Sequence, residues 1–255
     1  MRSLISAFKI FIFVIISLFA VPFSILWGVF FYQSKYYIIA VRAFHSLTCK
    51  IFGIKIKVKG QPETKNVFYI CNHISYIDIP VLGSILPTFF VARKGVANWP
   101  LLGLLARITG TVFIGQKKHD QEDSRNKILN SLQNGKNLVF FPEGTSTKGK
   151  TVYPFKSSSF EIFLNSDTEN IILQPCTIQI LKIDNNFKFE EKRDFYAWHG
   201  DMTFIPHLWN FGKLSSITIQ LTFHTPFSSK RFHSRKEIAV AAFNAVKAPF
   251  SETSS

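Results

Sequence analysis

The chain predicts an α/β domain, a mixed and largely buried sheet flanked by helices, with a membrane helix or helical hairpin at its N-terminus. Three observations carry this. Strand-like and helix-like segments alternate from residue 53 onward. Several of the strand-like runs, NVFYIC (66–71) and NLVFFP (137–142) among them, are apolar almost throughout, as strands covered on both faces are. Residues 10–32 (IFIFVIISLFAVPFSILWGVFFY) carry no charge at all.

A helix of about 23 residues, rising about 1.5 Å per residue, crosses a hydrocarbon core of roughly 30 Å. Pro22 and Ser24 fall in its middle, which admits a straight span, a kinked one, or a shallow hairpin entering a single leaflet. Arg2 and Lys9 precede the run while Lys35, Arg42 and Lys50 follow it, so flanking charge does not orient it. No small-x-small cleavage site follows, and the run reads as a retained anchor. Residues 35–52 place apolar side chains at helical spacing with Arg42, His45 and Lys50 between them, the pattern of an interfacial helix with His45 on its polar face. Residues 1–52 therefore form the anchor, 53–248 the main domain and 249–255 a disordered tail.

Within the domain, GIKIKVKG (53–60), NVFYIC, TFFVAR (88–93), TVFI (111–114), NLVFFP, IILQPCTIQI (171–180) and SITIQLTFHT (216–225) read as strands. Helices are predicted over 76–86, 99–108, 120–134, 155–165 and 235–247.

Thirty Lys and Arg against 16 Asp and Glu give a net charge of +14, which favours anionic partners. With no zinc-finger spacing, RNP-type aromatic motif or compact basic helix, nucleic acid is set aside, leaving membrane lipids and phosphorylated substrates. Cys49, Cys71 and Cys176 fit neither a disulfide framework nor a metal site and read as small buried hydrophobes in a reducing compartment.

The chemistry concentrates in NHISYIDIP (72–80), directly after NVFYIC, where His73 stands five positions before Asp78. On one continuous helix those side chains would point about 140° apart. A strand-loop-helix junction brings them together: the imidazole leaves the strand end, the carboxylate sits in the first helical turn, and the far ring nitrogen is free to act as a general base. The same residues also fit a helix cap, since Ser75-x-x-Asp78 is a capping-box pattern, and spacing alone leaves both readings open.

A second motif, FPEGTST (141–147), again follows a strand. Together the motifs resemble a known family. Asn72, His73, Ser75 and Asp78 match its N-H-x-S-x-x-D block, and FPEGT matches its F-P-E-G-T block. VARKGVANWPLLGLLARITGTVFIG lies between them with the family's Ala-Lys-like, Pro-x-x-Gly and Gly-x-x-Phe-Ile features, and Gln174-Pro175-Cys176 stands at its later proline block. From about residue 60 to 180 the chain is similar to the glycerophospholipid acyltransferases, typified by bacterial 1-acyl-glycerol-3-phosphate acyltransferase.

That resemblance implies His73 as the base that deprotonates an acceptor hydroxyl and Asp78 as its orienting partner. It implies substrate binding by Asn72, Ser75, Glu143, Gly144, Thr145 and Lys156. Acyl-CoA or acyl carrier protein is the donor substrate, a lysolipid the acceptor, and no metal or bound cofactor is implied. The hydroxyl attacks the thioester directly, which agrees with the absence of any Ser or Cys in a nucleophile elbow. Gly144 lets the backbone approach a ligand, with neighbouring N–H groups available to an anion or oxyanion, and Glu143 either orders the acceptor or closes the loop. The enzyme is expected at a cytoplasmic or inner membrane, its domain facing the cytoplasm.

Departures from the family pattern bear on the acceptor. Gln116 stands where the family's second block ends in Arg, with Lys117 and Lys118 just beyond, and Ser146 replaces the Arg that follows FPEGT. Both arginines would hold a phosphate, for which a bidentate fork is well suited. Tyr153-Pro154-Phe155-Lys156 matches a Pro-Phe-Lys block, but Ser157 and Ser158 replace Lys-Gly. FPEGTST, PFKSSSF and YAWHGDMTFIPHLW (196–209) resemble the branch associated with acylation of lyso-ornithine lipid, with His199 and His207 as structural or rim histidines. Family frequency puts lysophosphatidate first as acceptor, giving phosphatidic acid, and lyso-ornithine lipid as the alternative. A non-catalytic membrane-binding protein and a thioesterase are the rival functions.

Overall fold

A computed structural model of the chain describes residues 1–31, 34–99, 102–115, 117–164, 168, 170–184 and 192–252. Tyr32 and Gln116 and the last three residues of the tail lie outside the described residues, as do the side chains of Ser24 and Lys118.

Helix α1 (Arg2–Phe31) runs on through Pro22 and begins earlier than the uncharged run, because Arg2 and Lys9 are accommodated at its start. Lys9 Nζ donates to the carbonyls of Phe52 (3.3 Å) and Leu214 (2.7 Å), so the cation caps carbonyls at helix ends. Helix α2 (Lys35–Phe52) opens at Ser34, whose hydroxyl accepts from the Tyr37 N–H, and closes at Gly53. Gly53 has φ 71°, and a Cβ there would lie 2.4 Å from the Ser215 carbonyl oxygen, so conformation and close packing both require glycine. With Phe13 of α1 against Phe44 and Phe52 of α2 (ring centroids 6.4 and 5.7 Å apart), the two helices return on one another as a hairpin. The segment Arg2–Ala20 is long and apolar enough to cross a membrane.

The domain carries β1 (Ile54–Lys59), β2 (Val67–Cys71), α3 (Asp78–Ile85), β3 (Phe89–Arg93), α4 (Leu102–Ile108), β4 (Val112–Ile114), α5 (Gln121–Gln133) and β5 (Leu138–Phe140). Then follow β6 (Ile172–Ile183), α6 (Arg193–Tyr196), α7 (Phe204–Gly212), β7 (Ile217–Phe223), β8 (Phe227–Ser228) and α8 (Arg235–Glu252). One mixed sheet results, in the order β1-β7-β6-β2-β5-β3-β4, with β8 paired to β6. Pairings are parallel except those of β6 with β7 and β8. Strand β2 lies at the centre with all five residues buried, as its unbroken apolar run requires. Edge strand β1 instead turns Lys55, Lys57 and Lys59 to solvent. Tyr69, Val139 and Ile219 pack on one face with residues of α2, α3 and α7; Phe68, Leu138 and Leu173 pack on the other with residues of α5 and α8.

Four local expectations change. Residues 157–164 form a 3-10 helix rather than an α-helix, as a start with three serines favours. Leu102–Ile108 is helical, but residues 94–98 before it form a 3-10 turn. Helices α6 and α7 were not anticipated; α7 is legible in hindsight from Phe204, Leu208 and Phe211 at helical spacing, with Pro206 tolerated in its first turn. His45 is not on a polar face: it is 5% exposed, and its ring rests where a Cβ of Gly83 would be, at 2.4 Å. Glycine on α3 makes the room, and burial pushes this imidazole down to about 4.

Candidate active site

His73 leaves the C-terminal end of β2 and Asp78 is the first residue of α3, the junction that spacing demanded. His73 Nδ1 lies 2.7 Å from Asp78 Oδ2. The same oxygen accepts the backbone N–H groups of Ile74 (2.7 Å) and Ser75 (3.0 Å), so one buried carboxylate folds the loop and holds the ring. Asp78 is therefore no helix cap of the expected kind: Ile77 occupies the cap position and makes no side-chain bond. The His73 ring stacks on Phe141, centroids 4.2 Å apart and planes at 19°, and its side chain is 21% exposed. With Nδ1 engaged, Nε2 is the nitrogen left for a substrate.

FPEGTST crosses behind this loop. Glu143 Oε1 accepts the His73 backbone N–H and Oε2 accepts that of Tyr153, both at 2.7 Å. Burial pushes the Glu143 carboxyl up to about 7, while the two N–H donors pull the other way. Thr147 donates its N–H (2.9 Å) and its hydroxyl (3.2 Å) to the His73 carbonyl. Gly144, at φ 72°, carries Lys156 across it, the ammonium 2.7 Å from where a Cβ would stand.

The other residues singled out from the sequence fall into two groups. Asn72 is buried and pairs with the Ile178 backbone, accepting its N–H (2.8 Å) and donating to its carbonyl (3.0 Å), which extends the β2–β6 ladder by one side-chain rung. The hydroxyl of Ser75 is buried with no hydrogen-bond partner among the described residues. Gly144, Thr145, Ser146 and Lys156, in contrast, line the same cavity as His73. His207 is the buried histidine expected: its Nδ1 lies 2.9 Å from the Tyr76 hydroxyl, and burial pushes it down to about 4. His199 stands on the rim, 3.3 Å from Asp194.

Phe141, Thr147, Tyr76 and Trp198 were not picked from the sequence as site residues. Phe141 and Thr147 are the ends of FPEGTST, Tyr76 lies within NHISYIDIP and Trp198 within YAWHGDMTFIPHLW, but nothing in those motifs marked the four as site residues. Trp198 matters because its carbonyl accepts the Ser146 hydroxyl and its N–H bonds the Ile74 carbonyl at 3.1 Å, which closes the segment after α6 onto the His73 loop.

The cavity has a volume of about 1270 Å³. Its lining includes Phe13, Phe44, Phe52 and Phe211 from α1, α2 and α7, His73 itself, and the side chains of Lys156, Arg125 and Arg235. Apolar walls, a general base and cationic side chains in one cavity are what transfer of a fatty chain between two large substrates needs.

Comparison with known proteins agrees with this geometry. The model of the Acyltransferase family matches residues 55–179. The chain is 34% identical over 211 residues to the lyso-ornithine lipid O-acyltransferase of Rhodobacter capsulatus, covering 80% of this chain and 73% of that protein. The protein of that name from Rhizobium meliloti is 30% identical, covering 78% and 70%. The 1-acyl-sn-glycerol-3-phosphate acyltransferase of Neisseria gonorrhoeae is 28% identical, covering 67% and 64%. The crystal structure of the 1-acyl-sn-glycerophosphate (LPA) acyltransferase from Thermotoga maritima superposes with a TM-score of 0.73, covering 100% of this chain and 98% of that one at 19% identity, a likeness of fold.

Proposed function

The chain belongs to the acyltransferase family, and from that premise we propose that it acylates the free hydroxyl of lyso-ornithine lipid at the cytoplasmic face of a membrane, held there by α1 and α2. In the step we envisage, His73 Nε2 takes the proton of the acceptor hydroxyl as its oxygen attacks the thioester carbonyl of acyl-CoA or acyl carrier protein. Asp78 stabilises the imidazolium that forms. The tetrahedral intermediate collapses, the carbon–sulfur bond breaks, and the thiolate leaves with the proton returned by His73. The thioester supplies the driving force, and no cofactor is invoked. The bridge between Asp78, His73 Nδ1 and two backbone N–H groups is the observation that carries this reading, because it fixes one ring nitrogen and frees the other.

Ser146 favours the aminolipid as acceptor. Where an arginine would reach a phosphate, this hydroxyl is spent on the Trp198 carbonyl, which leaves Lys156, beside Gly144, to meet a carboxylate. Lysophosphatidate is the second reading: Lys156 also suits a phosphate, and the Neisseria relative bears that acceptor in its name. Purified protein given labelled acyl thioester and a panel of lysolipids tests both. Faster acylation of lyso-ornithine lipid supports the first reading, and turnover of lysophosphatidate alone replaces it with the second. Acyl release without any lipid marks a thioesterase, and no turnover at all marks a binding protein.

A further inference from the structure

The Tyr76–His207 bond sets α7 directly behind the catalytic loop, while the opposite side of α7 is covered by nothing in the described chain. Ile205 is 69% and Trp209 37% exposed. They stand one turn apart and share a side, whereas His207, Leu208 and Phe211 face inward. The outer face of α7 continues into that of α1. Ser6 donates its hydroxyl to the Trp209 carbonyl at 2.7 Å and lies against Gly212, and on the far side of Ser6 the α1 residues Leu4, Phe8 and Phe11 are open. Helix α1 also touches α4, where Leu104 and neighbouring Trp99 are exposed. Trp99 meets Trp198 edge-on at 5.3 Å, so this apolar belt ends on the rim of the cleft itself.

We propose that the outer face of α7, Ile205 and Trp209, together with Trp99 and Leu104, is a second contact with the lipid bilayer, which holds the catalytic domain itself against the membrane. The inference rests on the reading of α1 as a membrane helix and extends it to the catalytic domain. Scattered exposed apolar residues need no explanation, but a belt continuous with the exposed apolar face of α1 does. Lipid is the occupant these residues suit. Tryptophan prefers the interface, where an apolar ring meets wet headgroups. Lys213 follows Trp209 by one turn, and the net charge of +14 complements anionic headgroups. Because α7 presents its inner face to Tyr76, the helix in contact with lipid is also a wall of the site.

The full-length protein, with Trp27, Trp99 and Trp198 changed to Phe so that only Trp209 emits, is reconstituted into phosphatidylglycerol and phosphatidylethanolamine vesicles with or without brominated acyl chains. Quenching of Trp209 by roughly half in the brominated vesicles is the expected result. Protein that floats with vesicles yet shows unquenched Trp209 overturns the inference and leaves the α1 anchor standing; protein that does not float removes the anchor reading and the inference with it. A second variant, Ile205→Asp in the otherwise unchanged chain, is expected to acylate a vesicle-embedded acceptor several-fold more slowly and a monomeric short-chain acceptor at the unchanged rate. Equal rates on both, or an Ile205→Cys variant that cross-links two copies through this face in vesicles, also overturn it.

Discussion

The two walls of the cleft are secured differently. On the His73 side the ties are multiple and redundant: one Asp78 oxygen takes three donors, Glu143 bridges two backbone segments, and Thr147 donates twice to a single carbonyl. On the side of residues 193–212 the ties are single and spread out: among the described residues Ser146 donates to the Trp198 carbonyl, the Trp198 N–H to Ile74, Arg193 to the Lys148 carbonyl, and Tyr76 pairs with His207. Chemistry common to a family of acceptors sits on the over-determined wall, and one departure from the family pattern, Ser146, sits where the second wall joins. The contrast teaches that a base must be held to a fraction of an ångström, while a wall that selects among headgroups is free to be rebuilt.

The contrast breaks most visibly if the first wall tolerates change. His73→Ala is expected to lower acyl transfer by at least about 100-fold while the fold survives, since general-base removal costs that much or more. Asp78→Asn should fall by a similar factor. Its amide oxygen still accepts the loop N–H groups, so the melting temperature should move little while the imidazolium loses its counter-charge. Near-normal turnover in either variant ends the reading of this wall. Glu143→Gln comes next: its amide NH2 faces a backbone N–H that then has no acceptor, which costs about 1–3 kcal/mol and, by loosening the loop, roughly tenfold in rate. A stable, fully active Glu143→Gln protein would mean that one tie suffices.

Protonation sharpens the comparison. His45 and His207 have folded-state values near 4, below the ordinary 6.5, so the native state excludes their protons and loses stability as pH falls from about 6.5 towards 4. Glu143, raised to about 7 from 4.5, acts oppositely, and its contribution to stability declines as pH rises from about 4.5 to 7. Two histidines outweigh one carboxyl, so stability should rise between pH 4.5 and 6.5 by a few kcal/mol at most, and the melting temperature with it. His207→Gln should flatten that slope and Glu143→Gln steepen it; a flat wild-type profile contradicts the assignment. Ser146→Arg has the smallest expected effect, a few-fold, but its sign is informative. It should slow acylation of lyso-ornithine lipid, where a new cation crowds the ornithine amine and the Trp198 bond is lost, and it should favour lysophosphatidate. Faster use of lyso-ornithine lipid by this variant would reverse the acceptor order.

What could be read from the sequence follows the same division. The strands, the apolar N-terminal helix and the His73–Asp78 meeting were legible because each depends on neighbours within a few residues: apolar runs, uncharged length, and a spacing that only a junction can close. The fates of Asn72, Ser146 and His45 were not, because each is decided by a partner far along the chain, Ile178, Trp198 and Gly83 respectively. Glu143 lay between: its alternatives were stated, and the structure places both of its oxygens on backbone N–H groups. Helix α7 hid because a segment rich in aromatics, histidine and proline carries weak helix propensity, and packing on α1 and Tyr76 overrides it.

The Asn72 rung has a consequence for how the enzyme comes into being. Its partner, Ile178, lies 106 positions later, and the loop bearing His73 waits also for Glu143 and Thr147. During synthesis α1 leaves the ribosome before the sheet is complete, while the base still lacks its supports. Competence for acyl transfer therefore arrives late, after β6 has docked beside β2, and a nascent or truncated chain has no means of wasting acyl donor.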